Sequence, residues 1–361
     1  MLKKILIAAA ILLGIIILTG AWAVYYFKPD KEAVLNFIKN NPQRTAILFN
    51  RNDTTIAARN TDRIMPLGST MKIIIAIEYA RQAAQGLINA DEQIDLDALD
   101  KFYIPRTDGD AHPAWLKSVG GKISDGKVSL REVTKGMIKF SSNANTEWLL
   151  SKLGRDRVNA RIDSLGLKNH TPIYYIVSAL FVGKEAFPGE KGDALKEKLR
   201  RLNQEEYIGY TNIIHDKLLS DTAYRKSLGN MSLNIQKVWS DKLPAATVTD
   251  YVSIMKKINS RTYFNARTHQ YLDEVMEYIL ENPANREWLE HSGMKGGSTA
   301  FLLTKALYAT DKQGNTTELA YFMNDLTVLE ITRLQASMNE FELNILTNAA
   351  FREQVMEMLK E

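Results

Sequence analysis

The most strongly hydrophobic stretch lies at the start of the chain, where an uncharged run, residues 5–27, follows Lys3 and Lys4. About 20 apolar residues are enough to span a bilayer as a helix. Aromatic residues at positions 25–27 stand where an interfacial belt is expected. The run therefore predicts an uncleaved membrane anchor, with the rest of the chain exported.

A cleaved signal peptide is the alternative, because Ala21-Trp22-Ala23 has the small-x-small pattern of a cleavage site. The chain would then be secreted. Both interpretations export the protein, although Lys28 and Lys31 weaken the charge asymmetry across the run. The sequence contains no cysteine, which excludes disulfides and a lipid-modified cysteine anchor. The exported part must be stabilised by its core.

Two distant segments have the alternation of β-hairpins. Residues 45–60, "TAILFNRNDTTIAARN", place two β-prone runs around an Asn-Asp turn, and residues 298–326 repeat this around "KQGN". The chain between them is mostly helical. If the hairpins pair, they form one antiparallel sheet beside the helices. This is an α+β fold, with a natural cleft where the sheet meets the helices.

Apolar residues at helical spacing predict helices at about 70–84, 129–140, 145–154 and through the tail, 327–361. Ser129 and Glu132 form a capping-box pattern, and Gly154 is a helix stop. The sequence "SSNA" between two of these helices is predicted as a short loop. The polar residues 189–207 predict an exposed helix.

The predicted organisation has three parts. Residues 1–28 form the anchor or signal segment, and residues 29–44 a linker and approach helix. Residues 45–361 form the main domain, with a helical subdomain at about 87–290. The composition is that of a globular protein, and its net charge of +4 is too small and dispersed to indicate nucleic-acid binding. The five histidines have no metal-like spacing, so no metal or cofactor is expected.

Ser69 and Lys72, in "PLGSTMKIIIAIEYA", are the first candidates for chemistry. A Ser-x-x-Lys pair lies on one helical face. A free lysine, with a pKa of about 10.4, is a poor base, but burial among apolar residues would lower that pKa. The neutral amine could then take the serine proton. The alternative is an ordinary capped helix with a lysine that reaches solvent.

Ser-x-x-Lys alone is weak, because it occurs four times in the chain, starting at Ser69, Ser124, Ser253 and Ser292. Only Ser69 combines a helix start with an apolar setting. Two later stretches strengthen it: "FSSNAN" supplies Ser141-x-Asn143, and "HSGMKGGSTAF" supplies Lys295-x-Gly297 before a strand.

In this order and setting, the three motifs resemble those of serine β-lactamases and penicillin-binding proteins. The similarity is greatest to class A β-lactamase-like serine hydrolases and covers about residues 40–345. It implies that Ser69 is the acylated nucleophile, Lys72 its base, and Ser141 the relay that protonates the leaving nitrogen.

The resemblance also implies four substrate-binding positions. Asn143 would hold the substrate amide and the lysine base, and Lys295 the substrate carboxylate. Gly297 and Ser298 would form the strand against which the substrate lies. The backbone N–H of Ser298 would complete an oxyanion hole with that of the nucleophile.

The sequence departs from the family pattern in four ways. Ser142 replaces an Asp. Gly296 replaces a Thr, and the hydroxyl of Ser298 or Thr299 could compensate for the one that is missing. The chain between the second and third motifs is longer than expected, with an expansion at about 171–245. Residues 169–183 contain no counterpart of the deacylating glutamate, which leaves three weak candidates, namely Glu185, Glu190 and His170.

The resemblance favours hydrolysis of small-molecule β-lactams. Two alternatives stay open. One is a D-alanyl-D-alanine peptidase or a related peptidase or esterase that acts on a D-Ala-D-Ala-type peptide, and the other is a non-catalytic sensor of β-lactams or peptidoglycan. The expected location is the outer face of the cell membrane, to which the N-terminal helix would anchor the domain.

Overall fold

The computed structural model describes residues 2–229 and 231–360. Met1, Asn230 and Glu361 belong to the predicted anchor, expansion and main domain, and they lie outside the described residues. A five-stranded antiparallel sheet has the strand order β2-β1-β9-β8-β7. Strands β3 with β6 and β4 with β5 form two small pairs. The strands are β1 Thr45–Arg51, β2 Thr54–Arg59, β3 Met65–Pro66, β4 Gln93–Asp95, β5 Lys127–Ser129, β6 Ala245–Ala246, β7 Leu289–Ser298, β8 Leu303–Asp311 and β9 Thr316–Met323.

The sheet confirms the predicted pairing of the two hairpins, because β1 pairs with β9 along its whole length. The α-helices of the described chain surround this sheet. They are α1 Leu2–Tyr26, α2 Lys31–Asn40, α3 Lys72–Ala84, α4 Leu96–Asp100, α5 Ala111–Val119, α6 Leu130–Lys135, α7 Asn143–Leu153, α8 Arg155–Ser164, α9 Ile176–Ala179, α10 Val182–Ala186, α11 Gly192–Arg201, α12 Gln204–Ser220, α13 Thr222–Lys226, α14 Leu233–Lys242, α15 Val248–Asn259, α16 Ala266–Met276, α17 Pro283–Arg286, α18 Val328–Thr347 and α19 Ala349–Leu359.

Helices cover both faces of the sheet, since successive side chains in its strands point to opposite sides. In β1, Ile47 and Phe49 join the cluster formed with α2, α18 and α19. Ala46 and Leu48 face the other cluster, which contains α3 and α15. The alternation predicted for the hairpins therefore separates two apolar cores.

No single helix in the described chain is long and apolar enough to cross a membrane. Residues Leu12–Tyr26 and α2 meet these requirements of length and composition only as a pair, and the chain bends by 86° between them.

The expansion is a loop closed at its neck. Thr171 N donates to Ala245 O, and Ala245 N donates to Thr171 Oγ1, both at 2.8 Å. Inside the loop, α9–α14 contribute most of an apolar cluster that also contains Phe102, Ile104 and Ala144 from outside the loop. The single exposed helix predicted for 189–207 is wrong: α11 and α12 meet at a turn where Asn203 and Glu206 form a capping box.

Two further boundaries differ from the prediction. The helix predicted at 129–140 changes after α6 into a π-turn, Gly136–Phe140. A Cβ at Gly136 would lie 2.4 Å from the Asn145 side chain and 2.5 Å from that of Trp115, so close packing requires glycine there. In addition, α7 begins at Asn143, inside the loop predicted for "SSNA", because the Ser142 side chain caps it.

Candidate active site

Ser69 lies in a 3-10 turn, Gly68–Met71, that leads directly into α3. The backbone N–H of Lys72 donates to Ser69 O, which continues the turn into the helix. The predicted helix start is thus confirmed, with a tighter first turn. Gly68 has a φ of 54°, a left-handed conformation that glycine adopts without strain. This glycine turns the chain so that Ser69 lines a cleft.

Strand β7 packs directly on the turn that carries Ser69. A Cβ at Gly297 would lie 2.3 Å from Leu67 O and 2.6 Å from Ser69 N, closer than any side chain can approach. A Cβ at Gly68 would lie 3.3 Å from Ser298 N. The two glycines therefore let the backbones of Ser69 and Ser298 lie side by side at the cleft.

Lys72 is completely buried beneath the cleft. Its Nζ donates to Ser141 O at 2.7 Å and to Asn143 Oδ1 at 2.8 Å, and lies 3.2 Å from Ser141 Oγ. Burial lowers the pKa of Lys72 well below its ordinary value; Lys295 lowers it further, and the carboxylate of Asp108 opposes both effects. The apolar residues around this lysine therefore favour its neutral form, as predicted.

Ser141 is held in an unusual backbone conformation at the end of the π-turn. Its φ is 68°, and a residue other than glycine in this region costs free energy that the surrounding packing must supply. The next residue, Ser142, is buried and accepts from Asn145 N with its Oγ, which also lies 2.9 Å from His112 Nδ1. Ser142 thus provides an oxygen cap for α7 at the position where the resembling family has Asp.

Lys295 approaches Ser141 from the sheet. Its side chain is 4% exposed, and its Nζ donates to Ser141 Oγ at 3.1 Å and to Gly296 O at 2.8 Å. Burial, and then Lys305, lower the pKa of Lys295 to about 7. Two lysines therefore converge on one hydroxyl, and both have lowered pKa values.

Gly296 stands in the strand where the resembling family has a threonine, and a side chain at this position would be tightly packed. A Cβ there would lie 3.3 Å from Thr304 O and 3.6 Å from the Lys305 side chain. Both neighbours belong to β8, which pairs with β7 at this point.

The structure brings all seven predicted site residues together. Ser69, Ser141, Asn143, Gly297 and Ser298 line one cleft of about 780 Å³. Lys72 and Lys295 reach it through their contacts with Ser141.

The sequence analysis missed several residues that line the same cleft, namely Arg106, Asp108, Asp110, Gln236, Trp239, Gln335 and Met338. The only local signal was the Asp-Gly-Asp in "RTDGDAHP", where Arg106, Gly109 and Asp110 have positive φ. Asp108 Oδ2 accepts from His112 N, and its Oδ1 is buried without a partner among the described atoms.

The three weak candidates for a deacylating base lie elsewhere. Glu185 accepts from Lys217 Nζ at 2.5 Å, and Glu190 pairs with Lys198. His170 contacts Thr171 O at 2.6 Å through Nδ1. None of the three is among the described residues that line the cleft, where the acids are Asp108 and Asp110.

Residues 169–183 contain no acid, but a carboxylate from α7 contacts them. Glu147 is buried and accepts from Val177 N at 2.9 Å and from Ser178 N at 3.3 Å. It also accepts from Ser178 Oγ and lies 3.3 Å from His215 Nδ1. This carboxylate anchors the segment. In the described chain, no group of histidine, aspartate and glutamate side chains has the arrangement of a metal site.

A sequence model of the β-lactamase enzyme family matches residues 30–279. The chain belongs to the β-lactamase enzyme family. It is a serine hydrolase of the β-lactamase type. No curated protein sequence matches the chain significantly.

Solved structures of β-lactamases have the same fold as this family member. The β-lactamase of Sphaerobacter thermophilus superposes with a TM-score of 0.54 at 16% identity, and the comparison covers 88% of this chain and 98% of that one. The β-lactamase of Chitinophaga pinensis gives 0.52 at 14% identity, over 87% and 98%. A variant of PBP-A, solved as an acyl-enzyme complex with penicillin G, gives 0.51 at 13% identity, over 89% and 98%.

Proposed function

We propose that the protein hydrolyses β-lactams through an acyl-enzyme on Ser69. The observation that carries this proposal is the buried Lys72, which lies one helical turn after Ser69 and contacts both Ser141 and Asn143. A lysine with a lowered pKa has a neutral population near pH 7 that can accept a proton.

In the proposed acylation, neutral Lys72 takes the proton of Ser69, and Ser69 Oγ attacks the carbonyl of the lactam ring. The N–H groups of Ser69 and Ser298 stabilise the oxyanion. When the C–N bond breaks, Ser141 gives its hydroxyl proton to the ring nitrogen and regains one from the Lys72 ammonium. Lys295, when charged, holds the substrate carboxylate.

Hydrolysis of the acyl-enzyme then requires water and a base. Residues 169–183 supply no acid, and Glu185 and Glu190 are paired outside the cleft. We therefore expect deacylation to be slower than acylation. The same observation favours a second candidate, a D-alanyl-D-alanine peptidase that β-lactams acylate persistently.

We also propose that the protein is exported and held at the membrane by its N-terminal apolar run. Lys3, Lys4 and the uncharged residues 5–27 support this proposal. Fractionation of cells that express the full chain tests it. Recovery of the protein from the soluble cytoplasm would contradict export, and recovery of a shortened chain from the medium would indicate a cleaved signal peptide.

Turnover of a chromogenic cephalosporin by wild-type protein and the Ser69→Ala variant tests the proposed function. We expect many turnovers for each wild-type molecule and none for the variant. A single stoichiometric burst, combined with release of D-alanine from a D-Ala-D-Ala peptide, would support the peptidase instead. Turnover that survives in Ser69→Ala would overturn both.

A further inference from the structure

One wall of the cleft is formed by the expansion. Gln236 and Trp239 both line the cleft, and both belong to α14, the last long helix of the expansion. They are three residues apart, so their side chains share one face of the helix. We propose that this face binds the acyl side chain of the substrate and that Trp239 selects aromatic acyl side chains. This inference rests on the function proposed above.

The exit of the expansion is fixed beside the nucleophile. Leu67 N donates to Pro244 O at 2.9 Å, and Met65 and Pro66 pair with Ala246 and Ala245. Leu67 is two residues before Ser69, and Pro244 is five residues after Trp239. The position of α14 is therefore tied to that of the reacting serine.

The helix is also fixed along the cleft. Trp239 Nε1 donates to Ile176 O at 3.2 Å, and Ser240 Oγ lies 2.7 Å from Thr299 Oγ1. Thr299 and its neighbour Ala300 line the same cleft just after β7 ends. The tryptophan thus stands beside the end of the strand against which the substrate is proposed to lie.

The direction of β7 indicates which part of a substrate reaches α14. Lys295, the proposed carboxylate partner, and Thr299 are four residues apart, roughly 13 Å along an extended strand. Gly297, against the nucleophile turn, lies between them. With the carboxylate at Lys295 and the reacting carbonyl at Ser69, the acyl side chain extends toward Thr299 and Trp239.

Trp239 suits an aromatic partner. Its side chain is half-buried and packs against both the central core and the core of the expansion, so little freedom is lost when a ligand stacks on it. Two stacked aromatic rings add affinity beyond that expected from the surface area they bury. Gln236 Nε2 donates to Met231 O at 2.9 Å, which orients its amide beside the tryptophan.

The test compares acylation of Ser69 by penicillin G, which carries a benzyl side chain, and by 6-aminopenicillanic acid, which carries none. The rates are followed by intact mass. We expect Trp239→Ala to slow acylation by penicillin G about tenfold and to change the rate with 6-aminopenicillanic acid less than twofold. Trp239→Phe should restore most of the preference.

Trp148→Ala is the matched control. Trp148 packs against the same two cores but does not line the cleft, so its loss should affect both compounds equally. If Trp239→Ala does not fold, Trp239→Leu keeps the apolar bulk without the ring and should show the same selective loss. Equal losses with both compounds would overturn the inference alone. Absence of any wild-type adduct would overturn the proposed function and the inference with it.

Discussion

Two regions that pack against α7 bury charged groups in opposite ways. Beside Ser69, Lys72 and Lys295 are buried amines with lowered pKa values, and no carboxylate forms an ion pair with either in the described chain. In residues 169–183, the charge comes from Glu147, which is saturated by backbone N–H groups, a hydroxyl and a histidine. A buried charge with few compensating partners can change its protonation state easily, whereas a fully satisfied one stabilises structure. In the proposed mechanism the first region transfers protons, whereas the contacts of Glu147 stabilise the second.

The largest expected effect concerns the base. Lys72→Met should slow acylation of Ser69 by about 10³-fold or more, because general-base catalysis and the contacts to Ser141 and Asn143 are both lost. Rapid-quench intact-mass measurements check this rate. Lys257→Met is the matched control, since Lys257 also has a pKa lowered by burial and donates to a serine, Ser253, outside the cleft. An unchanged acylation rate in Lys72→Met would contradict the proposed difference between the two regions.

The second effect concerns Glu147, the carboxylate that holds residues 169–183 in place. Glu147→Ala should lower the free energy of unfolding by about 3 kcal/mol or more, because several buried donors lose their acceptor. Urea unfolding measures this change. Glu185→Ala removes a carboxylate from the same part of the chain, but one paired near the surface with Lys217, and should cost less than about 1 kcal/mol. Similar losses in the two variants would remove the contrast between anchoring and surface carboxylates.

The third effect is on pH dependence. In the proposed mechanism Lys295 binds the substrate carboxylate only when protonated, and burial lowers its pKa to about 7. The value of kcat/KM should therefore fall about tenfold per pH unit above that pKa, since kcat/KM reports the free enzyme. In Lys295→Arg the guanidinium stays charged, so this alkaline limb should move to much higher pH. A limb unaffected by the substitution would assign the titration to another group.

Removal of the same buried amine should stabilise the fold. In the unfolded chain a lysine has a pKa of about 10.4, so between pH 7 and 10 the unfolded state binds more protons than the native state and stability rises with pH. Lys295→Met should remove the contribution of Lys295 to this dependence, leaving that of Lys72, and should raise the free energy of unfolding at pH 6 by up to about 5 kcal/mol. Thermal unfolding at pH 6 and pH 9 measures the change. If the free energy of unfolding depended on pH equally in the variant and the wild type, burial of Lys295 would not be the cause of that dependence.

The smallest expected effects concern the three residues that the sequence offered as a deacylating base. Glu185→Gln, Glu190→Gln and His170→Ala should each change the deacylation rate less than twofold, because these side chains have partners away from the cleft. The decay of the Ser69 adduct gives this rate. If the adduct decayed ten times more slowly in one of the three variants, the substituted residue would be the deacylating base, and residues 169–190 would take part in the reaction.

The local patterns in the sequence predicted the elements on which the reaction is proposed to depend. Alternation predicted both hairpins, and helical spacing with a Ser-x-x-Lys pair predicted the start of α3. The motifs at Ser141 and Lys295 could be related to Ser69 only through a family resemblance, because the contacts that join the three motifs link residues 69 and 154 positions apart. What brings them together is the packing of α7 on α3 and of β7 on the turn Gly68–Met71.

The remaining features depend on long-range packing that no local pattern encodes. The π-turn before Ser141 exists because Gly136 lets Trp115 and Asn145 approach closely. Asp108 reaches the cleft on a loop with positive φ values, and Trp239 reaches it on a helix of an expansion whose neck lies beside Ser69. An Asp-Gly-Asp turn and an amphipathic helix occur in many proteins, so neither pattern alone indicates an active site.

The central claim is that Ser69 is acylated with the help of Lys72. Brief exposure of the wild-type protein to penicillin G, followed by intact-mass measurement and peptide mapping, tests it most directly. Ring opening has no leaving group, so the account predicts an adduct with the full mass of the penicillin on the peptide that contains Ser69, and none in Ser69→Ala. An adduct on another residue, or one of equal yield in Ser69→Ala, would contradict the account.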